Sequence, residues 1–230
     1  MSVPVLEARK VRKIFVRKGS PSLQILDEVN LNVEQGESIV ICGASGSGKT
    51  TLLNILGGLD QPTRGEIFWS GESVNGWSRR KISCQRNLQV AYVFQGYHLL
   101  PELDVRENVL LPGWIRRKED RSKAEEFLER VGLKERITHY PYELSGGEQQ
   151  RVAVARALYQ NPSVILADEP TGNLDSNNSE KVVELLQELA SEDKKALVLV
   201  THDFSIAERV GSVRYLMDGR LSNSQNQTQV

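Results

Sequence analysis

The segment that most constrains this chain is the glycine-rich stretch at residues 43–51, GASGSGKTT, which lies between apolar runs at 38–42 and 52–56. An apolar strand, a glycine-rich loop and a helix in this order are typical of a loop whose backbone N–H groups surround phosphate groups. The helix dipole favours an anion there, and the Lys49 ammonium is placed to meet the outer phosphates. A plain glycine-serine surface loop is the alternative, and the ordered apolar flanks disfavour it. The segment predicts a phosphate-binding site at the end of a strand.

The length and the charge balance limit the class of protein. A chain of 230 residues can hold one large domain, or one domain with a smaller one inserted. Its 29 basic and 30 acidic residues give no sign of nucleic-acid binding or of an electrostatic membrane anchor. Cys42 and Cys84 are not expected to form a disulfide, which fits a reducing cytosol. We see no apolar signal segment, and the apolar runs are too short to span a bilayer, so any membrane connection is expected through a partner.

The order of strand and helix patterns predicts the fold class. Residues 5–11 and 25–33 read as strands of a small β layer, separated by a basic loop at 17–21. Another strand follows at 66–69. Residues 95–160 are mostly helical, with apolar residues at three- and four-residue spacing in 122–131 and 147–159.

After this helical stretch the strand patterns return. Strands are predicted at 164–167, 196–201 and 213–217, with a helix at 179–189. Strands that alternate with helices indicate a parallel sheet with right-handed crossovers. We therefore predict an α/β fold: a P-loop NTPase parallel sheet core (about 1–94 and 161–221) with an N-terminal antiparallel β layer. A helical subdomain (about 95–160) is inserted into it, and residues 222–230 form a disordered tail.

In a parallel sheet, ligands bind beyond the carboxyl ends of the strands. One predicted strand ends in Asp168 and Glu169. An aspartate at that position can hold Mg²⁺, to which Thr50 also offers its hydroxyl, and Glu169 is placed to polarise a water in line with the outer phosphate. Solvated acids at a strand end are the alternative, and the phosphate loop upstream disfavours it.

A histidine follows another predicted strand. His202 comes directly after the apolar run 196–201 and is placed to hydrogen-bond a γ-phosphate and the attacking water. Judged alone, a histidine in a loop is more often structural. His98 and His139 lie in the helical stretch, and for both we keep the structural interpretation.

A second helix start can also receive an anion. Ser145 and Glu148 have the spacing of a capping box, and Gly146 and Gly147 leave the first amides of that helix uncovered. A well-capped helix is the plainer explanation. Two anion-receptive helix starts in one chain raise the possibility that the second serves the nucleotide of another subunit.

The chain carries six motifs in one fixed order that resemble the Walker A, Q-loop, signature, Walker B, D-loop and switch-histidine motifs of ATP-binding-cassette ATPases. In this sequence they are residues 43–50, Gln95, residues 144–149, Asp168 with Glu169, residues 173–175 and His202. The resemblance covers nearly the whole chain. The flanking strings at 56–63, 98–101, 107–109 and 167–175 are most similar to the lipoprotein-releasing and macrolide-exporter branch of that family.

The resemblance implies ATP and Mg²⁺ as cofactors and two copies of the chain closing head to tail over two ATP molecules. It implies catalytic roles for Glu169, His202 and Gln95, and a Mg²⁺ site at Thr50, Gln95 and Asp168. It places nucleotide contacts at Phe15, Gly43, Ala44, Ser45, Gly46, Ser47, Gly48, Lys49, Thr50, Thr51, Ser145, Gly146, Gly147 and Asp175. Phe15 would stack on the adenine where the family most often has tyrosine; judged alone, it is more often an ordinary packing residue.

The resemblance further implies an ATPase that powers integral-membrane transporter subunits from the cytoplasmic face of the inner membrane, without nucleic acid as a partner. A cell-division-type regulatory cassette, which signals through a membrane partner without cargo, is the alternative. A soluble DNA-repair or ribosome-associated cassette is disfavoured because the chain has no long coiled-coil insert, no second cassette and no basic excess.

Overall fold

The computed structural model describes residues 3–16, 19 and 21–223 of the chain. Its strands are β1 Leu6–Phe15, β2 Leu23–Val33, β3 Ser38–Cys42, β4 Arg64–Trp69, β5 Glu72–Ser73, β6 Val90–Phe94, β7 Val164–Asp168, β8 Ala196–Thr201, β9 Ser212–Met217 and β10 Arg220–Ser222. Its α-helices are α1 Lys49–Leu56, α2 Arg79–Gln89, α3 Val105–Arg116, α4 Arg121–Arg130, α5 Gly146–Leu158, α6 Ser176–Glu192 and α7 Phe204–Val210. Short 3₁₀ helices cover Lys134–Arg136 and Pro141–Glu143.

The larger sheet has the strand order β10-β9-β3-β8-β7-β6. Strands β6 to β9 and β3 run parallel, whereas β10 pairs antiparallel with β9. The register aligns Cys42 with Thr201 and Asp168 with both Phe94 and Val200. The carboxyl ends of β3, β6, β7 and β8 therefore meet at one edge of the sheet, where the sequence predicted the chemistry.

The smaller sheet is antiparallel, with the order β2-β1-β4-β5. Helix α1 lies between the two sheets. Alternation along β3 explains why all four apolar residues of that strand are buried: Ile39 and Ile41 pack with α1 and the smaller sheet, whereas Val40 and Cys42 pack on the opposite face with helices that include α5 and α6. The predicted fold class is confirmed.

The chain between β6 and β7 is largely helical, as predicted. Helix α4 is capped by Asp120 and α5 by Ser145, and their apolar faces meet in a core shared with α3. Helix α6 begins three residues before the predicted helix because Asp175 caps it. The proposed domain limits stay a prediction.

Some elements were not predicted from the sequence. Helix α2 begins with Arg79-Arg80-Lys81 and buries only Ile82, so it carries almost no apolar period. Strand β10 ends at Ser222, inside the predicted tail, and residues 224–230 of that tail lie outside the described part of the chain. Of the predicted loop at 17–21, residues 17, 18 and 20 also lie outside it. Within the described ranges, no helix is both long and apolar enough to cross a membrane.

Candidate functional site

The phosphate loop, residues 43–51, connects β3 to α1. The Lys49 side chain is only 5% exposed. Its Nζ donates hydrogen bonds to the carbonyl oxygens of Gly43, at 2.9 Å, and of Ala44, at 3.0 Å. The ammonium thus lies against the loop, where its positive charge can attract an anion bound by the loop amides.

The loop has unused hydrogen-bonding groups. Gly48, the N-cap of α1, has φ 101° and offers no side-chain cap to the first amides of the helix. A Cβ at Gly48 would lie 2.8 Å from Cγ2 of Ile25, so both the backbone angle and the space require glycine. The Ser47 hydroxyl is buried without a hydrogen-bond partner among the described residues. Free amides, an unpaired hydroxyl and a buried ammonium together fit a bound phosphate chain.

Asp168 ends β7 opposite the loop. Its Oδ1 accepts a hydrogen bond of 3.1 Å from the Thr50 hydroxyl. Burial raises the pKa of the Asp168 carboxyl; the Thr50 hydrogen bond opposes this shift, and the neighbouring Glu169 adds to it. The two oxygens form an oxygen-donor pair beside the loop, of the kind that hard cations prefer.

Glu169 links the loop to the end of β8. One carboxylate oxygen lies 3.9 Å from Nζ of Lys49, and the other lies 3.1 Å from Nδ1 of His202. The backbone of Glu169 has φ 42° and its N–H donates to the Val200 carbonyl at 3.0 Å. This left-handed conformation is rare for a non-glycine residue, and such strain concentrates at functional sites. Lys49, Glu169 and His202 thus converge although 153 residues separate the first from the last.

Gln95 follows β6 at the same edge. Its side-chain Nε2 donates to Oδ1 of Asn173 at 3.4 Å, and Nδ2 of Asn173 donates to the backbone carbonyl oxygen of Gln95 at 3.0 Å. A Cβ at Gly172 would lie 2.5 Å from Nε2 of Gln95. The amide of Gln95 is therefore held by residues 172–173, and its described hydrogen bonds do not reach Thr50 or Asp168.

The start of α5 lies apart from the phosphate loop. The Ser145 N–H donates to Oε2 of Glu148 at 2.8 Å, which completes a capping box. A Cβ at Gly146 would lie 2.8 Å from the Tyr97 hydroxyl, and one at Gly147 would lie 2.9 Å from Oδ1 of Asn178. Asp175 caps α6 through the Asn178 N–H, at 3.0 Å. These contacts place residues 145–147 beside the start of α6, and none of them joins the start of α5 to the phosphate loop.

Phe15 ends β1 and is 43% exposed. The Lys13 ammonium lies 5.0 Å from the centroid of its ring. A cavity of about 670 Å³ lies beside the phosphate loop, and Leu23, the strand partner of Phe15, lines it, but Phe15 does not. The structure therefore brings Phe15 to the neighbourhood of the loop without placing it in this cavity.

Sequence reasoning missed most of this cavity wall. Phe204 and Tyr215 stack with ring centroids 6.4 Å apart and line the cavity together with residues 216–219. The turn between β9 and β10 lies far along the chain from the loop and carries no motif of its own, so no local pattern could have predicted the contact.

A second cavity, of about 410 Å³, lies between α2, α3 and α5, where Ile115 and Arg156 form part of the wall.

Comparison with known proteins adds family relationships. A family model described as "ABC transporter" matches residues 26–172. The chain is 43% identical over 230 residues to the lipoprotein-releasing system ATP-binding protein LolD of Saccharophagus degradans, covering 99% of this chain and 100% of the relative. It is 46% identical to the protein of the same name from Acinetobacter baylyi, covering 95% of this chain and 97% of the relative.

Solved structures are similar as well. The dimeric post-hydrolysis state of the ATP-binding cassette MJ0796, bound to ADP and Pi, is 41% identical to the chain and superposes with a TM-score of 0.85. The match covers 94% of this chain and 96% of that one. A second dimeric structure of MJ0796, titled a bacterial ABC transporter cassette, superposes with a TM-score of 0.86 at the same identity and coverage.

Proposed function

Because the chain belongs to the ABC transporter family, as an ATP-hydrolysing nucleotide-binding subunit, we propose that it powers the release of lipoproteins by a separate membrane partner. The observation that carries the chemical part is the convergence of Lys49, Glu169 and His202 at the carboxyl edge of the sheet. The cargo is proposed from the relatives, which are named for lipoprotein release and which the chain matches over nearly their whole length. No observation favours a regulatory cassette without cargo.

The proposed roles follow from the positions of the side chains. Lys49 and the amides of the phosphate loop bind the phosphates of ATP. Glu169 accepts a proton from the attacking water, and His202, whose Nδ1 lies 3.1 Å from that carboxylate, orients it and contacts the γ-phosphate. Asp175 couples the two ATP sites, and Phe15 stacks on the adenine. The chemistry is mainly positioning and charge stabilisation, because little covalent work falls to the protein in phosphoryl transfer.

The residues present fit a Mg²⁺ ion. The Thr50 hydroxyl and the Asp168 carboxylate lie 3.1 Å apart and both offer oxygen, and the Gln95 amide oxygen is proposed as a further ligand. No cluster of three or more His, Cys, Asp or Glu side chains suited to a metal occurs in the described residues, which agrees with an ion that takes its other ligands from water and phosphate. Mg²⁺ would neutralise charge on the phosphate oxygens. The chain's own residues position the carboxylate: the Thr50 hydroxyl fixes the orientation of Asp168.

We propose that each ATP site is shared by two copies of the chain. The start of α5 contacts α6 and Tyr97, not the phosphate loop of its own chain. A head-to-tail pair would bring Ser145, Gly146 and Gly147 of one copy to the phosphates held by the other. The two similar structures of MJ0796 are dimeric, which supports this arrangement.

Mixed variants test the shared site. All chains carry Glu169→Gln to prevent turnover, and either Lys49→Ala or Ser145→Arg is added. A mixed dimer then contains one doubly damaged and one intact site, so it should retain about one ATP per dimer after gel filtration, whereas neither parent retains any. If the Ser145→Arg parent alone retains ATP normally, the sites lie within one chain and the proposal fails.

We further propose that the partner is an integral-membrane protein that holds this subunit at the cytoplasmic face of the membrane. The cavity between α2, α3 and α5 is suited to docking because Ile115, which is 75% exposed, and Pro112 give it an apolar wall. Ile115→Asp should abolish co-purification of the membrane partner, whereas Val3→Asp, at a position 64% exposed, should not.

Stimulation of the reconstituted ATPase by an acylated but not an unacylated cargo protein would support lipoprotein release; stimulation by neither would favour the regulatory alternative.

A further inference from the structure

The loop at residues 95–98 has an unusual backbone. Tyr97 has φ 47° and His98 has φ 49°, so two consecutive non-glycine residues adopt the left-handed conformation. Residues with a Cβ rarely adopt it, and it persists only where the surrounding structure determines it. Something outside the loop must therefore hold these two residues.

Arg156 of α5 supplies that contact. One of its terminal nitrogens donates to the His98 carbonyl and the other to the Tyr97 carbonyl, each at 2.6 Å. The guanidinium is planar and rigid, so two such bonds fix the direction of both carbonyls at once. Burial lowers the pKa of Arg156, which reflects the loss of water around the guanidinium, and hydrogen bonds made there are stronger than in water.

The flanks of the loop are held at further points. On the side of α5, Nε2 of Gln150 donates to the Phe94 carbonyl at 3.3 Å, and the Tyr97 hydroxyl lies against Gly146. On the opposite side, Gln95 exchanges hydrogen bonds with Asn173. Gln95 is thus the residue of this loop that reaches the carboxyl edge of the sheet, and the shape of the loop determines where its amide lies.

We propose that Arg156 is a positioning residue for Gln95: by clamping the Tyr97 and His98 carbonyls it holds the left-handed loop that keeps the Gln95 amide at the catalytic edge. This inference rests on the role proposed for Gln95 and goes beyond it, because Arg156 touches neither ATP nor metal. Loss of the clamp lets Tyr97 and His98 return to negative φ and moves the Gln95 side chain away from Asn173 at the carboxyl edge of the sheet. Arg156 also lines the cavity proposed for the membrane partner, so the clamp can be reached from the docking surface.

A double-mutant cycle on the full chain tests the proposal. Arg156→Lys keeps the charge but cannot span both carbonyls, and it should lower kcat about tenfold, as misplacement of a catalytic group does. Gln95→Ala should lower kcat by at least as much, and the double variant should be no slower than Gln95→Ala, because Arg156 acts through Gln95. Arg116→Lys is the matched control, since the Arg116 guanidinium donates to the Gln160 side chain in the same subdomain. Losses that multiply in the double variant would overturn the proposal.

Amide hydrogen exchange provides a readout independent of activity. In the ligand-free protein, the His98 amide, which donates to the Gly96 carbonyl, should exchange about tenfold faster in Arg156→Lys than in wild type, while the amides of α3 and the rest of α5 keep their protection. Unchanged exchange at His98 would show that Arg156 does not hold the loop and would overturn the clamp. If Gln95→Ala alone keeps wild-type turnover, the role proposed for Gln95 is wrong, and the exchange result still decides whether the clamp exists.

Discussion

The starts of α1 and α5 differ in how the unpaired amides of the helix N-terminus are capped. At α1 the cap is Gly48, no side chain covers the first amides, and the buried Lys49 ammonium lies within the loop. At α5 the cap is Ser145, and the Glu148 carboxylate accepts a hydrogen bond of 2.8 Å from the Ser145 N–H. The first start is left open for an anion, whereas the second already carries a carboxylate.

The two helix starts also differ in the side chains that surround them. Around α1 the sheet supplies a lysine, an oxygen-donor pair and Glu169, so the site can bind and cleave a phosphate. Around α5 the described contacts supply the capping box, an ion pair of 3.3 Å between Arg136 and Glu148, and the packing against α6 and Tyr97. A negative Glu148 weakens the attraction of the helix dipole for a further anion. In the proposed dimer, we therefore expect the start of α5 to contact a phosphate that the phosphate loop of the other copy already holds.

The largest expected effect tests whether the chemistry belongs to the first start alone. Glu169→Gln keeps the size of the side chain but removes the proton acceptor, so turnover should fall roughly a hundredfold or more, the scale of a positioned general base. ATP binding, measured by equilibrium dialysis, should be unchanged. Near-normal turnover in this variant would show that another residue activates the water, and the contrast between the two helix starts would lose its chemical basis.

The two glycines provide the next test. Gly48→Ala forces alanine to φ 101° with a Cβ 2.8 Å from Ile25, and strain of this kind costs about 1–3 kcal/mol of the free energy of unfolding. Gly147→Ala meets only the flexible Asn178 side chain, in a helical conformation that suits alanine, so it should cost far less. Urea unfolding of both variants measures the difference. Equal losses would mean that the backbone of the phosphate loop is not strained.

The sequence predicts the first helix start better than its surroundings. The phosphate loop, β7 and β8 were predicted because their apolar runs are buried on both faces and end in polar residues. The start of α5 follows from local capping chemistry at Ser145, which spans only three residues, whereas α6 begins three residues before the predicted helix. Such signals are short in sequence, so they can be read without the fold.

The contacts that complete the site join residues far apart in the sequence, so local patterns could not predict them. Gln95 meets Asn173 across 78 residues, and the cavity beside the phosphate loop depends on the turn after β9. The left-handed backbone of Glu169 and of Tyr97 has no signal in residue type, because neither residue favours positive φ. Helix α2 was missed because its polar residues outweigh its single buried one. In each case tertiary packing overrides the local pattern.

A smaller effect is expected from the cap of α5. Ser145→Ala removes the side-chain acceptor of the Glu148 N–H, and the loss of such a cap typically costs about 1 kcal/mol of the free energy of unfolding. Ser145→Thr keeps a hydroxyl that can accept from the Glu148 N–H and donate to the Glu148 carboxylate, so it serves as the control for stability. If Ser145→Ala unfolds at the wild-type urea concentration, the capping box does not stabilise the helix, and the second start resembles the first.

The smallest effect concerns the charge of Glu148. Its pKa is lowered from the ordinary 4.5, first by the hydrogen bond from the Ser145 N–H and then by that from the Ser145 hydroxyl. A depressed carboxyl pKa in the folded state contributes stability above the unfolded pKa, and this contribution is lost as the pH falls through the folded pKa.

Glu148→Gln keeps an oxygen acceptor for the Ser145 N–H but removes the charge, and with it the ion pair to Arg136. It should lower the free energy of unfolding by about 0.3–1 kcal/mol at pH 7 and by less below pH 4.5, which urea unfolding across pH measures. In the ATPase the same change should lower KM roughly twofold to fivefold, because the helix dipole at the start of α5 is no longer opposed. Glu126→Gln, at an exposed position of α4 without an ion pair among the described residues, should change neither quantity comparably. A raised KM in Glu148→Gln would mean that the carboxylate assists the nucleotide, and that the second helix start is not an anion site.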